Sequence, residues 1–295
     1  MAVSKKKQLS TTTELGILDL LTLRGFDPKC KAKLVRHQDK RFDIRDLVRN
    51  GWIEEYQSLQ ARSIFGKCDF IVTFMGDGGT RAEMLGVYRV INERVSTPDD
   101  VSEDSPFSIW RDTEQFFYEL EHQDQYADLE RRVVIEWGRG VLSWHQHMRN
   151  KPIIEIYPPG RVLQRFADYL EFSLTFDELQ DLFNNPAAHR DWYSGLSAVA
   201  GVYLVLDSST GAQYVGAAYG LDGIWGRWKN YAQNGHGDNQ LLEELVEDNP
   251  DVRPHSFRFS LLQVLPKTTD KKRVIGVEKV FKDKLGSRAT GLNLN

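Results

Sequence analysis

Two short hydrophobic runs set around one polar turn constrain this chain more than any other feature. Residues 201–206, Gly-Val-Tyr-Leu-Val-Leu, and 213–218, Gln-Tyr-Val-Gly-Ala-Ala, are strand-like. Between them Asp207-Ser208-Ser209-Thr210-Gly211 is a run of turn formers. That composition predicts a tight antiparallel pair. Each strand also carries a tyrosine two residues from a glycine, Tyr203 after Gly201 and Tyr214 before Gly216, and eleven residues separate the two phenols.

The stretch after the second strand is patterned as firmly. In GLDGIWGRWKNYAQNGHG, residues 220–237, the apolar and aromatic residues Ile224, Trp225, Trp228 and Tyr231 recur at helical spacing, and the glycine-rich end stops the helix. Arg227 and Tyr231 are four apart and share a face. A second helix over NQLLEELVED, a third strand over residues 257–265 and a third helix opened by a Thr cap complete the C-terminal part. Glu278 sits in that last helix among Val274, Ile275, Val277, Val280 and Phe281. An inward carboxylate there needs a cation. An exposed glutamate between buried neighbours fits the same pattern, and the two readings stay open at this point.

Gly-Val-Tyr at 201–203, Tyr-Val-Gly at 214–216, Arg227 on the next helix, Glu278 on a later one and Asn293 near the end resemble, in order and spacing, the GIY-YIG nuclease family. The resemblance covers about residues 199–295, one third of the chain. Valine replaces isoleucine in both tripeptides, an exchange between β-branched core residues. It implies an α+β domain with a three-stranded antiparallel sheet flanked by helices.

It also implies a chemistry. Tyr203 would be the water-activating base, provided nearby positive charge lowers a phenol pKa that is ordinarily about 10. Arg227 would clamp phosphoryl oxygens with its planar fork. Glu278 would hold one Mg²⁺, or Mn²⁺ in its place, a hard cation that fills its shell with water and phosphate. Tyr214 would position water or phosphate, and Asn293 would bind near the metal or fix the C-terminal turn. Many relatives carry histidine where this chain has Tyr231, although some restriction members have tyrosine. A phenol there could share the base role with Tyr203. His236 is matched either to an active-site histidine of homing relatives or to a polar cap in a glycine-rich loop.

The rest of the chain reads as a separate, mostly β domain. GDGG at 76–79 divides two β-rich runs between residues 64 and 90, and RRVVIEW (131–137) and KPIIEIY (151–157) are further strand candidates. EEYQSLQARSI (54–64) and DTEQFFYELEHQDQY (112–126) look helical. Residues 96–106 read as an acidic surface loop. The boundaries expected are 1–175 for an N-terminal recognition or sensor domain, 176–198 for a linker and 199–295 for the nuclease domain. Scattered Trp and Tyr make the first domain loosely similar to PUA-type barrels, which hold modified or flipped bases. Trp110, Trp137 and Trp144 either stack bases or pack a core.

Charge and cysteine content narrow the setting. The net charge is −4, but residues 1–50 hold twelve Lys and Arg against six Asp and Glu, residues 51–194 fourteen against twenty-five, and residues 195–295 twelve against eleven. The basic start either touches phosphates or is a solvated helical face. Cys30 and Cys68 form no close pair and read as buried thiols, which excludes a thiolate zinc site or disulfide framework. His145 and His147 lack a third metal ligand. GDGGTR lacks the Lys-Ser/Thr of a phosphate loop. No eighteen-residue apolar run or leader pattern occurs, so a cytoplasmic protein is expected. The reading is a Mg²⁺-dependent endonuclease of double-stranded DNA in restriction or anti-phage defence, the first domain choosing the target. A silent nucleic-acid-binding or sensor protein and a structure-specific repair nuclease are the alternatives. Double-strand cutting with one site per chain favours a homodimer.

Overall fold

A computed structural model describes residues 14–140, 143–247, 253–289 and 291–293. Of the basic segment 1–50, read as either a phosphate contact or a solvated face, residues 1–13 lie outside the described residues. The chain divides into two compact units, Met1–Pro159 and Gly160–Asn295. Among the described residues no helix is long and apolar enough to cross a membrane.

The first unit contains α1 (Ile17–Leu23), β1 (Ala32–His37), α2 (Ile44–Arg49), α3 (Ile53–Ser58), β2 (Leu59–Gln60), β3 (Phe70–Gly76), β4 (Arg81–Val95), β5 (Phe116–His122), β6 (Val133–Glu136), β7 (His145–His147) and β8 (Ile153–Ile156). Its sheet runs β2-β5-β4-β3-β1-β7, with β6 joined to β4 and β8 to β6. Only β1 and β3 pair in parallel, and α2 and α3 lie in the crossover between them. These pairings trace an open, branched sheet and do not confirm a PUA-like barrel. β4 serves three partners because it is bent twice. Leu85 and Ile91 are extra residues in its ladder, and each bulge turns the strand, so its first half meets β3 and β6 and its second half β5.

The hairpin at the Gly78-Gly79 turn is as expected. Residues 112–126 form no α-helix: Phe116–His122 is strand β5, between short 3-10 turns at Ser108–Asp112 and Asp124–Leu129. Their glutamates favour a helix by composition, but Tyr118 is buried and Glu119 and Glu121 are exposed, the period of two that pairs β5 with β4. Trp137 is fully buried in the core with Phe74, Val133 and Ile135, whereas Trp110 and Trp144 are half-buried. Cys30 and Cys68 are free and only partly buried, a correction to their reading as core thiols.

The second unit holds β9 (Leu174–Thr175), α4 (Phe176–Asn184), α5 (Arg190–Ser197), β10 (Val199–Asp207), β11 (Gln213–Ala218), α6 (Gly223–Asn234), α7 (Gln240–Glu247), β12 (Phe257–Pro266) and α8 (Lys271–Leu285). Its antiparallel sheet runs β11-β10-β12-β9, the three expected strands plus a short edge. Alternation along β10 sends Tyr203 and Val205 into a core with Leu179, Leu182, Trp192, Leu196 and Trp228, while Val202 and Leu204 pack with Val277 and Phe281 of α8. Three layers result, with the sheet in the middle.

The segment expected to be a linker is part of this core. Thr175 and Glu178 form a reciprocal capping box that starts α4, the hydroxyl accepting from Glu178 N at 3.0 Å and the carboxylate from Thr175 N at 2.9 Å. His189 is fully buried and pins the preceding segment. Its Nε2 accepts from Val162 N and Leu163 N at 3.2 and 3.3 Å, and its Nδ1 donates to the Asn185 carbonyl at 2.9 Å. Burial pushes its pKa down, consistent with a neutral ring. The compact unit that holds this core starts at Gly160. α8 is capped by Asp270, whose side chain accepts from Arg273 N at 3.0 Å, rather than by a threonine. Ile275 and Val280 are exposed, not core.

Candidate active site

β10 and β11 pair so that Tyr203 lies opposite Gly216 and Val205 opposite Tyr214. The two phenols are thus diagonal neighbours on one face, with ring centroids 6.4 Å apart. Gly216 makes room for this. A Cβ there would fall 2.3 Å from the Tyr203 ring, closer than any side chain tolerates. On the other flank, β12 carries a bulge at Leu262 where it meets Tyr203, a device that re-aims a side chain.

α6 supplies the cation. Arg227 Nε donates to the Tyr203 hydroxyl at 2.9 Å, and the guanidinium carbon lies 5.3 Å from the centre of the Tyr231 ring one turn on. The Tyr203 and Tyr231 hydroxyls are 3.2 Å apart. Both phenols are fully buried, and Trp228 and Phe259 stand edge-on around them. Arg227, half-buried, reaches from this cluster to the wall of an open cavity of about 870 Å³. The remaining guanidinium donors have no partner among the described residues.

The expectation for the Tyr203 pKa is overturned. Burial pushes it up, the neighbouring Tyr214 adds to that, and Arg227 opposes without prevailing. Tyr231 is pushed up for the same first reason. Both are neutral phenols at ordinary pH. Burial also works against the charge of Arg227, but the oxygens of Tyr203, Tyr231 and Tyr214 hold its pKa above the usual value.

The cavity is lined by Tyr214, Arg227 and Glu278 together with Asp222, Lys282 and Arg288. Glu278 is tucked in, its side chain 14% exposed, and the cation it found is Lys282 one helical turn away, at 3.0 Å from Oε1. The i, i+4 spacing was the available signal for that lysine. Asp222 and Arg288 lie in turns, where no periodicity points to them. Asn293 is buried and bonds the backbone of β11. Its amide oxygen accepts from Val215 N and its amide nitrogen donates to Val215 O, both at 2.9 Å, so the end of the chain is stitched to the edge strand β11.

His236 does not line the cavity. It sits in the turn after α6, where Gly235 adopts a left-handed conformation and Gly237 packs on the Tyr231 ring so closely that a Cβ would stand 2.5 Å from it. Its buried Nδ1 has no hydrogen-bond partner.

No protein-family model and no curated protein matches the chain. Two solved structures do. The catalytic domain of homing endonuclease I-TevI is 23% identical over 32% of this chain and 98% of that one, with a TM-score of 0.26. A point mutant of the same catalytic domain is 21% identical over 33% of this chain and 94% of that one, with the same TM-score.

Among the described residues no three His, Cys, Asp or Glu side chains gather as metal ligands. A cation that takes a single carboxylate and keeps its waters fits the wall beside Glu278.

Proposed function

We propose that the C-terminal unit hydrolyses phosphodiester bonds of double-stranded DNA as an endonuclease. The observation that carries this reading is the Arg227–Tyr203–Tyr231 cluster opening, through Arg227, onto a cavity with more cationic than acidic groups and one inward carboxylate, Glu278. Arg227 donates from its outer nitrogens to the non-bridging oxygens of the phosphate, with Lys282 and Arg288 adding positive field around it. Tyr214, at the cavity wall, orients the attacking water. That water forms a new P–O bond while the bond to the departing sugar oxygen breaks.

Tyr203 acts as the base only as a phenolate: its own proton must leave before it takes the water's, and Arg227, donating to that oxygen at 2.9 Å, with Tyr231 beside it at 3.2 Å, stabilises the anion. Mg²⁺ or Mn²⁺ held by Glu278 would supply neutralisation of phosphoryl and leaving oxygens. Tyr231, in the place of the histidine of many GIY-YIG nucleases, supports a restriction or anti-phage setting, and cutting both strands calls for two copies of the chain.

The Glu278–Lys282 pair favours a second reading, a site silenced by its own lysine that only binds nucleic acid. Plasmid cleavage with and without Mg²⁺ separates the two. Metal-dependent nicking that drops at least ~100-fold in Glu278→Ala and Arg227→Ala supports the nuclease. No cutting by the unaltered chain, with DNA binding retained, selects the silent site.

A further inference from the structure

The first unit has a cavity of its own, about 1230 Å³, at the C-terminal end of β1. Its walls bring together residues far apart in sequence: the end of β1 and the loop after it (36–41), residues 59–64, the Gly79-Thr80 turn, Trp110 and Trp144. Two properties set it apart from an ordinary surface hollow.

The first is a buried, incompletely bonded cation. Arg36 is 1% exposed and lines the cavity. Its Nη2 donates to the carbonyls of Gly79 at 2.8 Å and Arg81 at 3.3 Å, while Nε and Nη1 are buried with no acceptor among the described residues. Leaving N–H donors of a guanidinium dry and unpaired is costly, so a site that keeps them is built for an acceptor from outside. Beside Arg36, His37 makes its bond to Gln57 at 3.2 Å, and burial lowers its pKa to about 4, so it faces the cavity as a neutral ring.

The second is the combination of charge with ring surface. Lys33, Lys40, Arg41 and Arg62 join Arg36 in the lining against one carboxylate, Asp39. That carboxylate is already spent on Arg41 at 2.7 Å and the Tyr56 hydroxyl at 2.9 Å. Tyr56, Trp110 and Trp144 supply aromatic surface on the same walls. Trp110 lies stacked on Phe107, which holds its plane. An acidic peptide would use the charge and leave the rings idle, and an apolar ligand would do the reverse. A nucleotide uses both, because a base has a face to stack and acceptors on its edge, and its phosphates answer the cations.

We propose that this cavity binds a nucleotide, with the base against Trp110 and Trp144, the unpaired donors of Arg36 on its acceptor atoms, and Lys40 and Arg62 on the phosphates. The site stands apart from the chemistry proposed for the second unit. A free nucleotide and a nucleotide within a strand share this chemistry, and the experiment separates them.

Full-length protein carrying Glu278→Ala, without divalent metal, is titrated with nucleoside monophosphates, with a short fluorescein-labelled single strand and with its duplex. Tryptophan fluorescence and anisotropy are the readouts. Saturable binding to any of these probes, weakened at least tenfold in both Arg36→Met and the Lys40→Ala/Arg62→Ala double variant, is the expected result. Response to monophosphates identifies a free nucleotide, and response to strands alone identifies nucleic acid. The double variant changes exposed residues only and so folds whether or not Arg36→Met does. Unaltered affinity in the double variant, or no binding of any probe, overturns the proposal. Plasmid cleavage by the chain with Glu278 intact is read in parallel: cutting without variant-sensitive binding sinks this site alone, and binding without cutting sinks the nuclease alone.

Discussion

Tyr203 carries two polar contacts through a single oxygen, accepting from Arg227 and meeting Tyr231, inside a shell that excludes water. Removing that oxygen separates its chemical role from its packing. In Tyr203→Phe the ring still fills the space against Gly216 and Trp228. The lost hydrogen bonds cost about 1 kcal/mol, enough to lower the melting temperature by a few degrees. Cleavage falls much further, about 100- to 10,000-fold, if the phenol handles the proton. A variant that cuts within about threefold of the parent would show that Tyr231 or bulk base does the work instead. Gly216 belongs to the same picture. Its conspicuous place after Tyr214 is explained by the ring lying over it, not by a turn.

At the scale of elements, β11 is the exposed side of its sheet, paired with β10 alone, and the end of the chain covers it. Asn293 imitates a strand residue by bonding both polar groups of Val215, and Leu292 N adds a bond to Gln213 O at 2.8 Å. Asn293→Ala leaves a donor and an acceptor unpaired in a buried place. We expect about 2 to 4 kcal/mol lost from the second unit and faster amide exchange at Val215, measured by thermal unfolding and hydrogen exchange. Unchanged protection at Val215 would mean that the strand edge is held by other groups. α8 shows a different logic. The step from Glu278 to Lys282 is visible as spacing, yet only packing against β10 and β11 makes the two a nearly buried pair rather than a solvated one.

For the molecule as a whole, the division after Pro159 sets what folds alone. Leu163, Leu174, Phe176, Leu179, Leu182, Trp192 and Leu196 all belong to the core that surrounds Tyr203. At about 2 kcal/mol each, their burial is comparable to the entire stability of a domain. A fragment of residues 160–295 should therefore unfold cooperatively, whereas 199–295 should not, as followed by near-ultraviolet dichroism on heating. A cooperative transition in the shorter fragment would return the boundary to 199.

The amino-acid sequence by itself determined what is local. The hairpin from Val199 to Ala218, the helical face shared by Arg227 and Tyr231, the stop at Gly235 and the turn between β3 and β4 follow from period, turn chemistry and capping, which act over a few residues. Only the tertiary structure decided the rest, because it depends on what lies across space. Residues 116–122 became strand through pairing with β4, against their composition. The supposed linker became core because its apolar stripe had a sheet to cover. Tyr203 kept its proton because burial outweighs one arginine, and Arg36 was left with unpaired donors because the described residues around it hold no acceptor for them.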